Sequence, residues 1–402
     1  MDFDDSPAEA EFRQEVRAWL TENAPHPDEL DGLNEIERAK LWQRRKHDAG
    51  WACLRWPRQY GGRELSPIHQ VIWNSEEARV HTPAPIFLIG FGMAAPVIMT
   101  WGTEAQKQRY LPRIASGEEI WCQLFSEPAG GSDLAALRTR ARFEDGEWIV
   151  HGQKIWTSGA HYSDLGMLVV RTDPTVPKHK GLTYLLLDMK SPGVKVVPIK
   201  QISGETGFNE VFFDGVRVPD DRRLGQVGQG WQVALTTLMN ERATLSGSGL
   251  GGGVNFRRAF ELARRVSIEG RPAIEDAAVR ARLADWYVQE AGLKYTGYRS
   301  MTALSRGETP GPENSIGKLV SAPKNQDMAS FCLDLLASSG ADPEFDEDYR
   351  IFQHAYLSSP GMRIAGGTDE IMANIIAERV LGLPQEPRMD KNVAFEDVPT
   401  GA

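Results

Sequence analysis

The sequence has 402 residues, enough to bury a large core and divide into two or three domains. Its 41% hydrophobic and 25% charged residues are ordinary for a soluble globular protein, and no apolar run reaches the length of a membrane span. A net charge of −10 disfavours bulk nucleic-acid binding, which works by neutralising phosphates.

The first residues, Met1-Asp-Phe-Asp-Asp-Ser6, are acidic, unlike a secretory or mitochondrial targeting segment, so the expected location is the cytoplasm. From Phe12 to about Arg113 the chain reads helical: Phe12, Val16, Trp19 and Leu20 share one face, and Thr103 is placed to cap a helix. Cys53, Cys122 and Cys332 are too few and too scattered for a disulfide framework and suit buried thiols in a reducing compartment. No CxxC or paired histidine spacing argues for a metal. From Ile120 to Asp214 the pattern changes to strands. Asp145-Gly146 marks a hairpin, and the runs starting at Leu165, Leu182, Val194 and Val211 follow at short intervals, predicting a small antiparallel barrel or sandwich. No GxGxxG opens a helix after a strand, which argues against a Rossmann nucleotide site. From Gln229 onward helices return, including Arg280–Glu290 and Asn325–Ala337, with bundle-like lengths. The polar tail after Pro384 reads as loose. The expected fold is α+β and multidomain: a helical domain over 1–119, a β-barrel domain over 120–228, and a helix bundle with a loose tail over 229–402.

Two short segments point to a planar ligand. In Ser126-Glu-Pro-Ala-Gly-Gly-Ser-Asp133 the small residues allow close approach to the backbone. In "GQKIWTSGA" Trp156 stands beside the hydroxyls of Thr157 and Ser158, which suits a stacked heterocycle. Together with "FNEVFFDGVRVP", "GQGWQVALTTLMNERATL" and "GGTDEIMANIIAERVLG", in that order from about Ala8 to Pro384, they resemble the acyl-CoA dehydrogenase family. The resemblance implies a helical domain, a β-barrel and a C-terminal four-helix bundle. It also implies FAD as cofactor, desaturation of acyl-CoA thioesters at the α and β carbons, and an electron-transfer flavoprotein as acceptor. Phe125, Ser126, Gly131, Ser132, Trp156, Ser158, Thr368 and Glu370 fall at the family's flavin-contacting positions, Ser132 also on the substrate side.

In many members a glutamate at the position of Gly366 is the catalytic base. The chemistry needs a carboxylate in a dry pocket, where burial raises its pKa toward that of the activated α-carbon, and hydrogen bonds to the thioester oxygen. Gly366 keeps its backbone N–H, which the resemblance makes one of those donors. The carboxylate must come from elsewhere. At about 100° per residue from Trp231, Glu241 falls near 280° and Arg242 near 20°, beside the apolar stripe of their helix. In a subset of the family the base occupies the position of Glu241, which makes Glu241 the expected base and Arg242 a neighbour in the acyl-CoA pocket; Asp369 is the weaker alternative.

Homotetrameric members complete the FAD site of a neighbour with two further motifs. Here Arg264 and Arg265 stand in the first without its Phe, and Asp334 and Ser338 stand in the second in place of Gln and Gly. An aspartate there repels pyrophosphate. The chain is therefore expected either in a homo-oligomer or in a heterotetramer with a paralogous subunit. A bulky acyl group such as a steroid side chain is favoured. A flavin monooxygenase or oxidase, or a non-catalytic subunit, remains as an alternative reading.

Overall fold

The computed structural model describes residues 5–247, 254–305, 311–312, 315–340, 342, 344, 346–388, 390 and 392–399, without the side chains of 242–247, 301, 304 and 305. The chain forms two compact units, one of residues 1–199, 206–240 and 388–402, the other of 200–205 and 241–387. No helix among the described residues is long and apolar enough to cross a membrane.

The first unit opens with the helix Pro7–Asn23, started by a reciprocal capping box between Ser6 and Glu9. Its buried residues Phe12, Val16 and Leu20 meet Trp42, Trp51, Ile72 and Trp73 in an aromatic core. Thr103 and Gln106 form a second capping box at the head of the helix Glu104–Ser116. That helix delivers Leu111 and Ile114 onto one face of a sheet, against Leu165, Met167, Val169 and Tyr184.

The strands are β1 (Trp121–Leu124), β2 (Arg140–Glu144), β3 (Glu147–Ser158), β4 (Leu165–Arg171), β5 (Leu182–Asp188), β6 (Val194–Ile199), β7 (Phe208–Pro219) and β8 (Arg223–Leu224). The hairpin at Asp145-Gly146 is present, with both residues at positive φ and Glu144 paired to Glu147. The expected antiparallel barrel needs correction. The strands run in the order β6-β7-β3-β2-β4-β5-β8 with β1 also on β4, and no ladder among the described residues joins β6 to β8. The sheet is open and mixed, because β1 and β2 both pair parallel to β4. Hairpin signals identify antiparallel neighbours only, whereas a parallel pair needs a longer crossover that leaves no turn signature. The sheet's second face packs on itself through Trp148, Val150, Leu168, Val170, Leu185, Val211 and Phe213. Central β4 is therefore buried on both sides.

The second unit is helical. The helices Phe256–Arg265, Ala277–Ser305, Ser315–Ser338 and Glu347–Met362 share a core of Leu262, Leu283, Trp286, Met328, Cys332, Leu336 and Phe352. The helix Gly230–Gly247 runs from one unit into the other. In the first unit Val233 and Ala234 join the core, and Thr237 Oγ1 lies 3.0 Å from Tyr184 Oη.

The C-terminal tail also departs from expectation. It is docked rather than loose: the N–H groups of Phe395 and Glu396 bond to the carbonyls of Val176 and Pro174, each at 3.0 Å. Composition alone suggested mobility, but these bonds and a ring stacked on a buried arginine supply what a polar tail lacks in apolar burial.

One buried carboxylate makes the helical domain acid-sensitive. Glu76 is 3% exposed and ion-paired to Arg13, Arg17 and Arg79. Hydrogen bonds from Arg17, against an opposing effect of burial, hold its pKa down at about 2. A folded-state pKa below the unfolded one contributes stability that is complete above the unfolded value and lost as pH falls through the folded one. Glu76→Gln should therefore flatten the fall in urea-measured stability from about pH 4.5 to about pH 2, relative to wild type.

Candidate active site

β1 ends at Leu124, and the chain then enters the loop Phe125–Asp133. Three bonds lock this loop to β3. The Ser126 carbonyl accepts from the Ile155 N–H at 2.9 Å. Lys154, fully buried, donates to the Phe125 carbonyl at 3.0 Å and to Glu127 Oε1 at 2.8 Å. Glu127 also accepts from the N–H groups of Arg138 at 2.6 Å and Thr139 at 2.9 Å. Burial would push the Glu127 carboxyl up, but the Lys154 charge and these N–H groups hold it below the usual range. Burial lowers the Lys154 ammonium, with Glu127 opposing.

Two residues beyond Lys154 the register of β3 with β7 slips, and Trp156 takes the left-handed conformation at φ 59°. Such a backbone costs a bulky residue about 1–2 kcal/mol and turns the strand's side chains out of simple alternation. Trp156 is 56% exposed beside exposed Ser158, while Thr157 turns inward. The indole meets only the edge of Phe208, at 6.0 Å between ring centres. Gly131 and Ser132 are exposed, and a Cβ placed on Gly131 would stand 4.0 Å from Ser126 Oγ. Phe125 differs from the others: its ring is buried edge-on to Tyr184 at 6.0 Å, so this residue reaches a ligand only through its backbone. The two planar-ligand segments are thus side by side. They offer an uncovered indole face and small hydroxyls, a combination that suits a stacked planar heterocycle.

The second unit gathers the other expected residues. Glu241 is buried at 8% exposure. The side chain of Arg242 lies outside the described residues. Lys318, half-buried in the helix Ser315–Ser338, donates to the carbonyls of Ala365 and Gly367, one on each side of Gly366. Burial lowers its pKa while the charges of Asp369 and Glu241 oppose the change, so all three groups share one electrostatic neighbourhood. Gly366 and Gly367 stand at φ 66° and 100°, which accounts for the paired glycines. No peptide bond among the described residues is cis. A trans peptide points its N–H opposite to its C=O, so the Ala365 carbonyl on Lys318 aims the Gly366 N–H away from that lysine. The Gly366 N–H enters no hydrogen bond among the described residues. Thr368 caps the following helix through the Ile371 N–H at 3.2 Å, and Glu370 is exposed in its first turn. Asp369 is held by Arg363 at 2.6 Å.

The sequence matches the N-terminal, middle and C-terminal domain models of acyl-CoA dehydrogenases over residues 6–118, 122–216 and 228–381. The chain belongs to the acyl-CoA dehydrogenase family. It is 38% identical over 399 residues to acyl-CoA dehydrogenase IpdE1 of Mycobacterium tuberculosis, covering 94% of this chain and 98% of that protein. Among solved structures it is similar to the Tcur3481-Tcur3483 steroid ACAD, with a TM-score of 0.79 and 29% identity over 96% of this chain and 100% of that one. It is equally similar to a chain of the ChsE4-ChsE5 complex from Mycobacterium tuberculosis, with a TM-score of 0.80 and 28% identity over the same shares. The family makes this protein an oxidoreductase acting on acyl-CoA.

Sequence reasoning missed the two lysines. Lys154 sits on the inward side of an alternating strand, and Lys318 lies in a helix turn facing a glycine loop; a charge in an apolar pattern was the available signal. Because Trp156 is exposed and strained, Trp156→Ala should leave urea-measured stability of the flavin-free protein within about 0.5 kcal/mol. Its FAD dissociation constant should rise about tenfold, measured by flavin fluorescence on release.

Proposed function

We propose that this chain catalyses the α,β-dehydrogenation of an acyl-CoA thioester bearing a bulky, branched or cyclic acyl group such as a steroid side chain, with FAD as cofactor. The observation that carries this reading is the Lys318 junction, which holds the Gly366 loop by the carbonyls on either side and feels the charge of the buried Glu241. Glu241 takes the α-proton. The Gly366 N–H, turned away from Lys318, donates to the thioester oxygen as negative charge develops there. Lys318 also polarises the Ala365–Gly366 peptide through its carbonyl, which strengthens that N–H as a donor. FAD, when bound, supplies the acceptor for the β-hydride. Trp156, Ser126 and Ser158 would hold its ring, with Gly131, Ser132, Thr368 and Glu370 at the positions the family resemblance gives to the remaining contacts. Electrons then leave to an electron-transfer flavoprotein.

A bulky substrate is supported by the steroid ACAD among the similar structures and by the absence of a side chain at Gly366, where a glutamate would occupy the pocket. A paralogous partner subunit is supported by the trans motifs. Arg265, a candidate for a neighbour's FAD, is engaged by Asp346 at 2.7 Å and Asp348 at 2.9 Å, and Asp334 is exposed on its helix. Two similar structures are named as pairs of proteins, ChsE4 with ChsE5 and Tcur3481 with Tcur3483.

Glu241→Gln should retain FAD and lose bleaching of the flavin absorbance on anaerobic addition of a steroid-side-chain acyl-CoA, by at least about 10³-fold in rate, because an amide cannot take the proton. Bleaching at the wild-type rate in that variant would remove Glu241 from the role.

A further inference from the structure

The C-terminal tail lies beyond residue 381, where the match to the family's C-terminal domain stops. Asp390 and the run Ala394–Glu396 make contacts along residues 171–178. Ala394 bridges to Pro177, and the Phe395 and Glu396 N–H groups extend that pairing along residues 174–176. The Phe395 ring lies 3.5 Å from the guanidinium carbon of Arg171, which is only 4% exposed. Asp390 is ion-paired with Lys178, also 4% exposed.

Both of these buried cations also bond to the end of the flavin loop or to the segment that directly continues it. Lys178 Nζ holds Asp133 Oδ2 at 2.6 Å. Arg171 donates to the carbonyls of Ala135 at 2.5 Å and Leu137 at 3.2 Å, and to the Lys178 carbonyl at 3.0 Å. Asp133, Ala135 and Leu137 follow directly on Ser132. The loop is thus clamped at its start by Lys154 and at its end by Arg171 and Lys178, and the second clamp is closed by the tail.

A buried guanidinium needs cover as well as hydrogen bonds, and an aromatic face supplies both desolvation and a favourable quadrupole. Without Phe395 water reaches Arg171 and competes for its three carbonyls. Without Asp390, Lys178 shifts toward Asp133 alone and the loop follows. We infer that the tail is a strap that positions the acyl-CoA side of the flavin loop, with Phe395 and Asp390 as positioning residues acting on Ser132 through Arg171 and Lys178. This rests on the reading of Ser132 as a substrate contact. The tail from residue 388 onward belongs to the same compact unit as the loop, so the coupling is local.

The test uses the full chain with whatever subunit co-purifies, as wild type, Phe395→Ala and Phe395→Trp. Hydrogen exchange of the peptide spanning 130–138 needs no substrate: Phe395→Ala should speed it at least tenfold, and Phe395→Trp should restore it. Steady-state kinetics with a steroid-side-chain acyl-CoA should show KM raised about tenfold in Phe395→Ala with kcat within twofold and the flavin spectrum unchanged. Unaltered exchange at 130–138 would overturn the strap and leave the tail a mere cover. Equal loss of flavin, kcat and KM without rescue by Trp would overturn it too, marking Phe395 as a folding residue. Should wild type fail to oxidise any acyl-CoA while exchange at 130–138 still responds to Phe395, the strap stands and the reading of function falls.

Discussion

The buried pair Lys154–Glu127 is the constraint on which the flavin side depends. An ammonium with no exposed surface survives only where carboxylate and carbonyl oxygens surround it, and here those oxygens are the Phe125 carbonyl and Glu127 of the binding loop. Glu127 in turn takes the amides of Arg138 and Thr139, where the loop returns to β2. The loop can therefore be made of glycine, alanine and serine, open enough for a flat ligand, without being slack. Breaking such a pair costs about 3–5 kcal/mol, more than most surface contacts could restore. Its rigidity also supports the strained conformation of Trp156 two residues downstream.

The helical unit solves a similar problem with another lysine. Lys318 takes the two carbonyls beside Gly366, ties down a glycine pair held at positive φ, and leaves the intervening N–H pointing away from the lysine. A glycine in place of the family's glutamate is then no defect. On the proposed reading, Gly366 keeps its backbone N–H for the site, the carboxylate would come from Glu241, and the missing side chain would leave room for a bulky acyl group.

Much of this was legible in the sequence, for identifiable reasons. Helices came from apolar spacing and from caps such as Thr103, and the hairpin from Asp145-Gly146, because those signals are local. The sequence placed the small-residue loop and the Trp156 segment as neighbours in role, and the structure brings them together through the Ile155 N–H and Lys154. The parallel pairing of β1 and β2 with β4 was not legible, since nothing local encodes a crossover. Nor was the docking of the tail, where one Phe395 and one Asp390 find partners more than two hundred residues away. Lys154 and Lys318 left only a charge in an apolar pattern as a signal, and their carbonyl partners, distant in sequence, are what give that charge its place.

In the proposed mechanism Glu241 removes the α-proton while the Lys318-held loop receives the developing charge. Exchange of that proton tests it without reference to the electron acceptor. The protein, with any co-purifying subunit, is incubated in D2O with a 3-thia acyl-CoA carrying a steroid-like group, which can lose its α-proton but resists oxidation, and α-deuterium is followed by mass spectrometry. The account predicts steady incorporation by wild type and none above background for Glu241→Gln. Equal incorporation by both proteins would contradict it and move the base to another residue.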